Sequence, residues 1–475
     1  MNQPITQKKL RRSRSVLAAL SALFALPFCI VPAVSAASGE IATLEQRVTD
    51  LKRELAEAER DLDAALAAEA MPDVQAEPVS TEISAVEEEV SDDIRFGPVT
   101  VGGAMRVNYI LGDYEGGSPG PSRGSDGGNF ELDTFRVNMS LDQGPLIGKL
   151  EYRWYNGYNF IHTGWVGYQF DDDSQLQAGV TRVPFGAGPY GVSQSWFFDQ
   201  HYYVGLSDDA DLGFKYVTEL GIWNFDFAYF ISSEGDWNGA SNDSARYGYD
   251  AVKWRSGLDE NGNFIAAPVN GYSERNQLNA RVIHGFRDGA TSTDLGLSLQ
   301  YGQLDGRRVD DGHHWAASVH MVNQIGNIKL ASQITRYAFD IDDDNPLGTD
   351  ELVPMGAYDF AWPVAADAWL PAVSLSYTYN TPHIGWLDYI VPYIEYSNIV
   401  KTVDDFNDSA LVTVGAAWAN RGWYIYSELA YSNGNYFVGD EGDDYVNIFE
   451  GVGDFGVNGN NRWNYRLNIN FGYYF

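Results

Sequence analysis

The C-terminal end of the chain alternates apolar and polar residues with a period of two. In the segment NYRLNINFGYYF the residues at one face of an extended strand are apolar, and those at the other face are mostly Asn and Arg; the apolar set is Tyr465, Leu467, Ile469, Phe471, Tyr473 and Phe475. This pattern predicts a strand with one apolar and one polar face. A strand of a soluble sandwich shows the same pattern, so this segment alone does not distinguish a protein core from lipid.

The alternation recurs from residue 96 onward in segments of about ten residues, which is the length of a strand that crosses a bilayer. We predict sixteen strands, at 98–111, 130–142, 146–156, 161–170, 175–183, 210–218, 221–231, 274–286, 292–303, 313–323, 326–340, 371–380, 385–397, 409–419, 422–433 and 463–475. Tight turns alternate with long polar loops, at 112–129, 184–209, 232–273, 341–370 and 434–462. This alternation is typical of an antiparallel meander through a membrane.

Aromatic residues support the membrane interpretation because they lie near the predicted strand ends, where amphipathic rings favour the interface with water. They are Trp154, Tyr168, Phe170, Trp223, Trp418, Trp423, Tyr431, Trp463 and Phe475. A large soluble sandwich or propeller would require evenly distributed loops and internal repeats, which the sequence lacks. The predicted fold class is therefore all-β: a closed antiparallel transmembrane β-barrel of about sixteen strands, preceded by a short α-helical coiled coil.

Three segments precede the barrel domain, 96–475. Residues 1–36 combine a basic region, an apolar run and small residues at Val34 and Ala36, which predicts an export signal peptide. A membrane anchor is the alternative, but Pro27 and Pro32 interrupt the apolar run. The single cysteine, Cys29, lies within this peptide, so we expect the exported chain to hold no disulfide.

Residues 37–71 show a heptad repeat, with Ile41, Val48, Leu55 and Leu62 at one seam position and Leu44, Leu51, Ala58 and Ala65 at the other. This repeat predicts a short oligomeric coiled coil in the periplasm; an amphipathic helix packed on its own domain is the alternative. Residues 72–95 are acidic and contain prolines, which predicts a flexible linker.

The charge balance limits the partners of the chain. It carries 31 Lys and Arg against 65 Asp and Glu, a formal net charge of −34, and a surface this acidic repels nucleic acid. Enzymatic motifs are weak: GGSPG at Gly116–Gly120 matches a nucleophile pattern but has no helix after it, and His201 is the one candidate for rim catalysis. We expect no enzymatic reaction and no cofactor.

One acidic loop resembles a calcium loop. The segment DIDDDNPLGTDE places Asp340, Asp342, Asp344 and Glu351 at the first, third, fifth and twelfth positions. It predicts a structural calcium site in an extracellular loop, and a solvated acidic loop is the alternative. Acidic surface loops of this kind also bind divalent cations that bridge lipopolysaccharide.

The strand phases predict a basic wall inside the lumen. The polar faces carry Arg106, Arg136, Lys149, Arg153, Lys215, Arg275, Arg281 and Arg466. Closure of the barrel makes the first three strands and the last one neighbours. Facing this wall we expect an acidic rim of Asp199, Asp208, Asp209 and Asp211; the alternative is that the arginines pair with Glu131, Asp133 and Glu151. Such a field predicts weak selectivity, slightly anionic at high salt and drifting toward cations at low salt.

Two longer stretches resemble a known family. LDTFRVNMSLDQGPLIGKLEYRW followed by QLQAGVTRVPFGAGPYGVSQSWFFDQHYYVG resembles the phosphate-selective porin O/P family, in which an Arg-bearing early strand precedes a strand ending in Pro-Phe-Gly, here Pro184, Phe185 and Gly186. The resemblance implies a homotrimeric channel whose third loop folds inward as a constriction, here with Trp196, Asp199, His201 and Tyr202. The terminal strand, with Tyr473 and Phe475, resembles the signature that the barrel assembly machinery recognises in outer-membrane proteins.

The expected function is therefore that of an outer-membrane porin, in contact with lipid and lipopolysaccharide, through which small anions or other small polar solutes diffuse. The family resemblance implies an anion or phosphate preference at the constriction. A substrate-specific channel for sugars, favoured by the aromatic loop SWFFDQHYYVG, and a structural barrel that tethers the envelope through its coiled coil are the alternatives.

Overall fold

The computed structural model describes residues 94–114, 127–235, 237–239, 244–258, 264–439, 454–459 and 461–475. The predicted signal peptide, the coiled coil, all of the linker up to residue 93 and the GGSPG motif lie outside these residues. The last two residues of the predicted linker, 94 and 95, belong to β1 (Ile94–Phe96), which forms a hairpin with the first barrel strand and pairs Ile94 with Val101.

Sixteen antiparallel strands, each paired with the next along the chain, form the barrel. They are β2 (Val99–Gly112), β3 (Asn129–Gln143), β4 (Leu146–Trp154), β5 (Asn159–Asp171), β6 (Ser174–Arg182), β7 (Ala210–Leu220), β8 (Trp223–Ser233), β11 (Phe264–Asp288), β12 (Thr291–Arg307), β13 (Gly312–Ile325), β14 (Ile328–Asp340), β17 (Asp367–Tyr377), β19 (Tyr389–Lys401), β20 (Ser409–Asn420), β21 (Trp423–Ser432) and β22 (Asn464–Tyr474). All sixteen predicted strands are present. The short β18 (Tyr379–Asn380) continues β17 along β19.

The last strand closes the barrel against the first. β22 pairs with β2 over nine positions, from Ala104 opposite Tyr474 to Gly112 opposite Arg466. The backbone N–H of Gly103 donates to the carbonyl of Phe475 at 2.7 Å, and the N–H of Phe475 donates back at 3.0 Å. Closure satisfies the backbone groups of both edge strands, which is the condition for a sheet to exist in lipid.

The two faces of the barrel have opposite polarity. On β12, Leu297, Leu299 and Tyr301 are 42, 48 and 48% exposed on the outside, whereas Ser298 and Gln300 are buried inside. On β22 the predicted alternation is confirmed, since the Asn residues face inward and Tyr465, Phe471 and Tyr473 face outward. An exterior apolar belt around a polar interior is the reverse of a soluble protein and is typical of a membrane-spanning barrel.

Two of the long connections contain regular structure, which the sequence analysis did not predict. β9 (Asp250–Ala251), β15 (Leu352–Ala357) and β16 (Phe360–Ala365) form a small three-stranded antiparallel sheet, and β10 (Lys253–Leu258) pairs with an extended β11. Buried Val353 and Trp362 from this sheet belong to the largest apolar cluster, together with Tyr202 and Phe455 from other connections. Tertiary packing between connections, which local patterns do not encode, explains the difference.

The only helix among the described residues is a single 3₁₀ turn at Tyr202–Val204. None of the described helical structure is long and apolar enough to span a bilayer.

Candidate functional site

Residues 183–209, between β6 and β7, fold into the barrel; we call this segment the constriction loop. Phe185, Phe197 and Tyr202 are 3, 0 and 1% exposed, and they pack against inward-facing residues of the barrel and its inner connections. Two non-glycine residues of the loop, Phe198 and Asp208, adopt a positive φ of 59° and 45°, a conformation that persists only where surrounding contacts impose it.

Hydrogen bonds to the opposite wall hold the constriction loop across the lumen. The backbone N–H groups of the loop donate to inward side chains: Gly186 to Ser298 Oγ at 3.0 Å, Ala187 to Gln333 Oε1 at 2.9 Å, Gln194 to Glu395 Oε1 at 2.5 Å, Trp196 to Glu428 Oε1 at 2.8 Å and Gln200 to Ser397 Oγ at 3.0 Å. Ser193 Oγ adds a bond to Glu395 Oε2 at 2.6 Å. The loop path is therefore fixed by the wall.

The Pro184-Phe185-Gly186 motif lies at the start of the constriction loop. Gly186 has a φ of 76°, and a Cβ at this position would lie 2.6 Å from Gln333 Oε1, so only glycine fits the turn beside the wall. Pro184 and Phe185 are buried at the same turn. The motif that carried the family resemblance thus marks where the chain leaves the wall and enters the lumen.

His201, the rim residue considered for catalysis, is completely buried. Its Nδ1 lies 2.8 Å from Asp199 Oδ1, and its Nε2 lies 2.9 Å from Thr335 Oγ1. The order Asp, His, hydroxyl copies that of a catalytic triad, but Thr335 is 0% exposed and no solute can reach its oxygen. The trio ties the constriction loop to β14.

Three arginines on adjacent strands face the constriction loop; we call them the arginine row. They are Arg106 on β2, Arg136 on β3 and Arg153 on β4, and the last two lie directly opposite each other in the strand register. Their shared phase follows from the period-two alternation of three neighbouring strands. The sequence analysis expected these three side chains on one wall.

Each arginine of the row has a carboxylate partner. Arg106 Nε lies 2.8 Å from Asp133 Oδ2. Glu151 lies between the other two, with its Oε1 2.5 Å from Arg153 Nε and 3.5 Å from Arg136 Nη1. The pairing that the sequence analysis kept as an alternative is therefore present, and the row carries only a small excess of positive charge.

The arginine row and the constriction loop line a cavity of about 90 Å³. The loop contributes Tyr190, Ser193, Gln194, Ser195, Phe198 and Asp208, the connection between β8 and β9 contributes Tyr247, and the remaining wall contributes Tyr424, Tyr426 and Tyr474. The guanidinium of Arg153 lies 4.4 Å from the ring centroid of Tyr247, and that of Arg136 lies 5.1 Å from the ring centroid of Tyr474. The narrow part of the lumen thus presents cations and aromatic faces together.

The residues of the predicted acidic rim lie in three different environments. Asp208 pairs with Arg182 Nη2 at 3.0 Å; burial alone would raise the pKa of Asp208, but the positive charge of Arg182 and a hydrogen bond from His162 hold it well below its ordinary value. Asp199 belongs to the His201 trio. Asp209 and Asp211 instead join Glu234 and Asp250 in a group of buried carboxylates, which we call the acidic cluster.

The other predicted basic residues lie at several places. Arg466 is 1% exposed and packs beneath the loop, with its guanidinium 4.9 Å from the ring centroid of Trp196 and Nη2 4.0 Å from Glu131. Arg281 pairs with Asp226 at 2.6 Å, and Lys215 Nζ donates to the carbonyl of Arg182 at 3.0 Å. Lys149 is exposed on the same strand face as Glu151. None of these four lines the cavity of the arginine row.

The inward placement predicted for Arg275 is wrong. The side chain is exposed and lies opposite exposed Gln303, on the strand face that carries outward Tyr301. A β-bulge between Arg275 and Leu278, with Asn276 at a φ of 49°, inserts an extra residue and inverts the alternation of β11. Arg275 and Arg281 therefore point to opposite faces although their positions differ by an even number, which would place them on one face of a regular strand.

The residues of the predicted calcium loop do not converge. Among the described residues, one group of three or more potential ligands has its ligand atoms mutually within 4.8 Å, and that group is the acidic cluster. Asp340 pairs with His313 at 3.3 Å, and Asp344 accepts from the backbone of Asp310 at 3.0 Å. Without the flanking helices of a true calcium loop, sequence spacing alone does not bring Asp342 and Glu351 together with them.

Sequence reasoning missed Glu395 and Glu428, the acceptors for the loop backbone, and Glu234 and Asp250, which complete the acidic cluster. The inward phase of Glu395 and Glu428 could have been read from the alternation on β19 and β21. No local signal connects Glu234 or Asp250 with Asp209, because Asp209 ends the connection before β7, whereas Glu234 and Asp250 lie in the connection after β8.

The fold and the constriction define a class: a closed sixteen-stranded membrane-spanning β-barrel with a loop held inside its lumen. No family model matches the chain, and no curated protein matches it in sequence. The resemblance to the phosphate-selective porin O/P family therefore stays a prediction.

Solved structures similar to this one are outer-membrane proteins. The outer-membrane expressed OmpT of Vibrio cholerae is 15% identical, with 81% of this chain and 100% of that chain covered and a TM-score of 0.45. The outer membrane channel DcaP of Acinetobacter baumannii is 12% identical, with 79 and 97% covered and a TM-score of 0.47. An anion-selective porin from Comamonas acidovorans is 13% identical, with 79 and 99% covered and a TM-score of 0.45.

Proposed function

We propose that this protein is a porin of the bacterial outer membrane, through which small hydrophilic solutes and ions diffuse passively. The observation that carries the proposal is the constriction: a loop fixed across the lumen opposite a row of three arginines, with a narrow cavity between them. A loop that narrows a lumen beside charged side chains sorts solutes by size and charge without any chemical reaction.

The charges around the cavity predict a weak preference for anions. Arg106, Arg136, Arg153 and Arg182 meet the carboxylates of Asp133, Glu151 and Asp208, so the positive charges exceed the negative ones by one. Paired charges orient polar solutes but attract ions less than free charges do. The pairing of these arginines with carboxylates does not favour a strong, exclusive specificity for phosphate.

Planar-bilayer recording tests the proposal. We expect stepwise ohmic conductance and a zero-current potential, in a salt gradient, on the anion side. Arg106→Gln with Arg136→Gln should move that potential toward cations by on the order of fivefold in permeability ratio, since two charges near a screened path together contribute about 1 kcal/mol.

Arg275→Gln is the matched control. The Arg275 side chain lies on the outer face of the barrel, so its neutralisation should leave the zero-current potential unchanged. If the zero-current potential is unchanged both in the double variant and in Arg275→Gln, the arginine row does not lie along the conduction path. A barrel that inserts but conducts no ions would contradict the porin proposal and favour a structural envelope-tethering role.

A sugar-type channel is the second candidate, and the aromatic lining of the cavity favours it. Tyr190, Tyr247, Tyr424 and Tyr426 face the same space as the arginines, and aromatic faces beside hydrogen-bonding groups suit the apolar faces and hydroxyls of sugars. Concentration-dependent block of single-channel current by maltose-type oligosaccharides, reduced by Tyr426→Ala, would support this candidate. Current insensitive to such sugars would leave general diffusion.

The assembly that accompanies this function follows from the family resemblance. We propose export through the N-terminal signal, insertion by the barrel assembly machinery through the terminal strand, and a homotrimer in contact with lipid and lipopolysaccharide. The exposed outward rings of Tyr473 and Phe475 on the terminal strand support the insertion step.

A further inference from the structure

The acidic cluster lies where the constriction loop returns to the wall. Its members come from three places along the chain: Asp209 and Asp211 at the start of β7, Glu234 just after β8, and Asp250 on β9 of the small sheet. One ligand atom of each lies within 4.8 Å of those of the others. All four are buried, with exposures of 5, 1, 5 and 0%.

One oxygen of each carboxylate in the cluster has no hydrogen-bond partner: Asp209 Oδ1, Asp211 Oδ1, Glu234 Oε2 and Asp250 Oδ1. The second oxygens of three of them are held from outside the cluster. Asp211 Oδ2 accepts from Gln277 Nε2 at 3.0 Å, Glu234 Oε1 from the Gly248 N–H at 2.9 Å, and Asp250 Oδ2 from Arg246 Nη1 at 2.9 Å. Buried carboxylate oxygens without donors cost stability unless another species meets them.

Like charges make this cost larger. Burial and the nearby charges of Asp211 and Asp250 raise the pKa of Asp209 well above its ordinary value, and burial and Asp250 raise that of Glu234. The guanidinium of Arg246 offsets one negative charge. Glu274, whose Oε1 accepts from the Ala251 N–H at 2.8 Å, adds a further buried acid beside the cluster.

We propose that Asp209, Asp211, Glu234 and Asp250 bind a calcium ion. All four donors are oxygens, which hard divalent cations prefer, and no histidine or cysteine within the group favours zinc or copper. Oxygens that each lie about 2.4 Å from a calcium ion are at most about 4.8 Å apart, and the ligand atoms of the cluster all fall within that limit. This site is separate from the spacing-based one at Asp340.

A calcium ion here ties Asp250 of the small sheet to the paired ends of β7 and β8, where Asp211 lies opposite Ser233. It fixes the exit of the constriction loop to the end of β8 and to the small sheet in the lumen. The proposal rests on geometry and stands whether or not the barrel conducts. Its functional consequence is a constriction whose position depends on divalent cations.

The experiment measures calcium on the purified full-length barrel in detergent. After chelation with EDTA and equilibration with calcium, metal analysis should show one tightly bound ion per chain, and calcium should raise the thermal unfolding temperature by several degrees relative to the stripped protein. Asp209→Asn with Glu234→Gln should weaken calcium binding at least about tenfold and abolish the thermal response. Terbium luminescence gives a second binding readout.

Asp342→Asn, in the exposed acidic loop, is the matched control and should behave as wild type. Two results would overturn the proposal. The first is wild-type protein that neither retains calcium nor responds to it; if Asp209→Asn with Glu234→Gln is then more stable than wild type, the carboxylates of the cluster share protons. The second is calcium binding lost in Asp342→Asn, which would place the ion elsewhere. The calcium measurements on wild-type protein test the proposal by themselves, so the test remains valid if a variant misfolds.

Discussion

The arginine row and the acidic cluster are two groups of buried charge inside one lumen, organised in opposite ways. In the row every cation has a carboxylate within reach, and Glu151 serves two of them. In the cluster four carboxylates face one another, and their inner oxygens have no donors. The comparison indicates that the chain itself supplies the countercharges of the row, whereas in the cluster Arg246 offsets only one of the four negative charges.

The largest effect should follow from breaking the balance of the row. Glu151→Gln leaves Arg136 and Arg153 without their shared carboxylate, and removal of one partner of a buried ion pair costs about 3–5 kcal/mol. Urea unfolding of the barrel in lipid vesicles measures the loss. Asp142→Asn, an exposed carboxylate on β3, is the control and should change little. Equal losses in the two variants would mean that the row is not balanced by Glu151.

A smaller effect should follow from releasing the constriction loop while leaving the row intact. Glu428→Ala removes the acceptor of the Trp196 N–H and of the Tyr393 hydroxyl, and a buried donor without a partner costs about 1–3 kcal/mol. We expect a modest loss of stability and a noisier single-channel current, because the loop gains freedom.

Glu219→Ala, on β7 and away from the loop contacts, should leave the current as quiet as in wild type. A quiet current in Glu428→Ala would show that the remaining hydrogen bonds suffice to hold the loop.

The smallest effect should come from an exposed ion pair. Arg287 pairs with Asp294 at 2.6 Å, but the Arg287 side chain is 55% exposed. Exposed pairs of this kind contribute roughly 0–1 kcal/mol and are screened by salt. Arg287→Ala should therefore shift the urea midpoint only slightly, and less at high salt. A loss comparable with that of Glu151→Gln would contradict the role of burial in the comparison.

The strands were predictable because lipid outside and water inside impose a period of two on every crossing. That rule carried the placement of Arg106, Arg136 and Arg153. It failed at Arg275, where a bulge inverts the phase, and no residue type marks a bulge uniquely.

Features that depend on contacts between distant segments were out of reach of the sequence. The small sheet of β9, β15 and β16 forms from two separate connections, and the acidic cluster brings residues at the start of β7 together with residues from the connection after β8. The spacing of Asp340, Asp342 and Asp344 suggested a metal site because it is local. The structure gathers instead residues with no common spacing, because tertiary packing decides which carboxylates meet.

The bonds that hold the constriction loop have a consequence for how such a barrel diversifies. The wall grips the loop through backbone N–H groups, at Gly186, Ala187, Gln194, Trp196 and Gln200. A backbone donor is the same for every residue except proline. Side chains that the loop presents to the lumen can therefore be exchanged, by evolution or by an engineer, while the backbone of the loop keeps its path. The selectivity of the constriction can then change without a change in the fold.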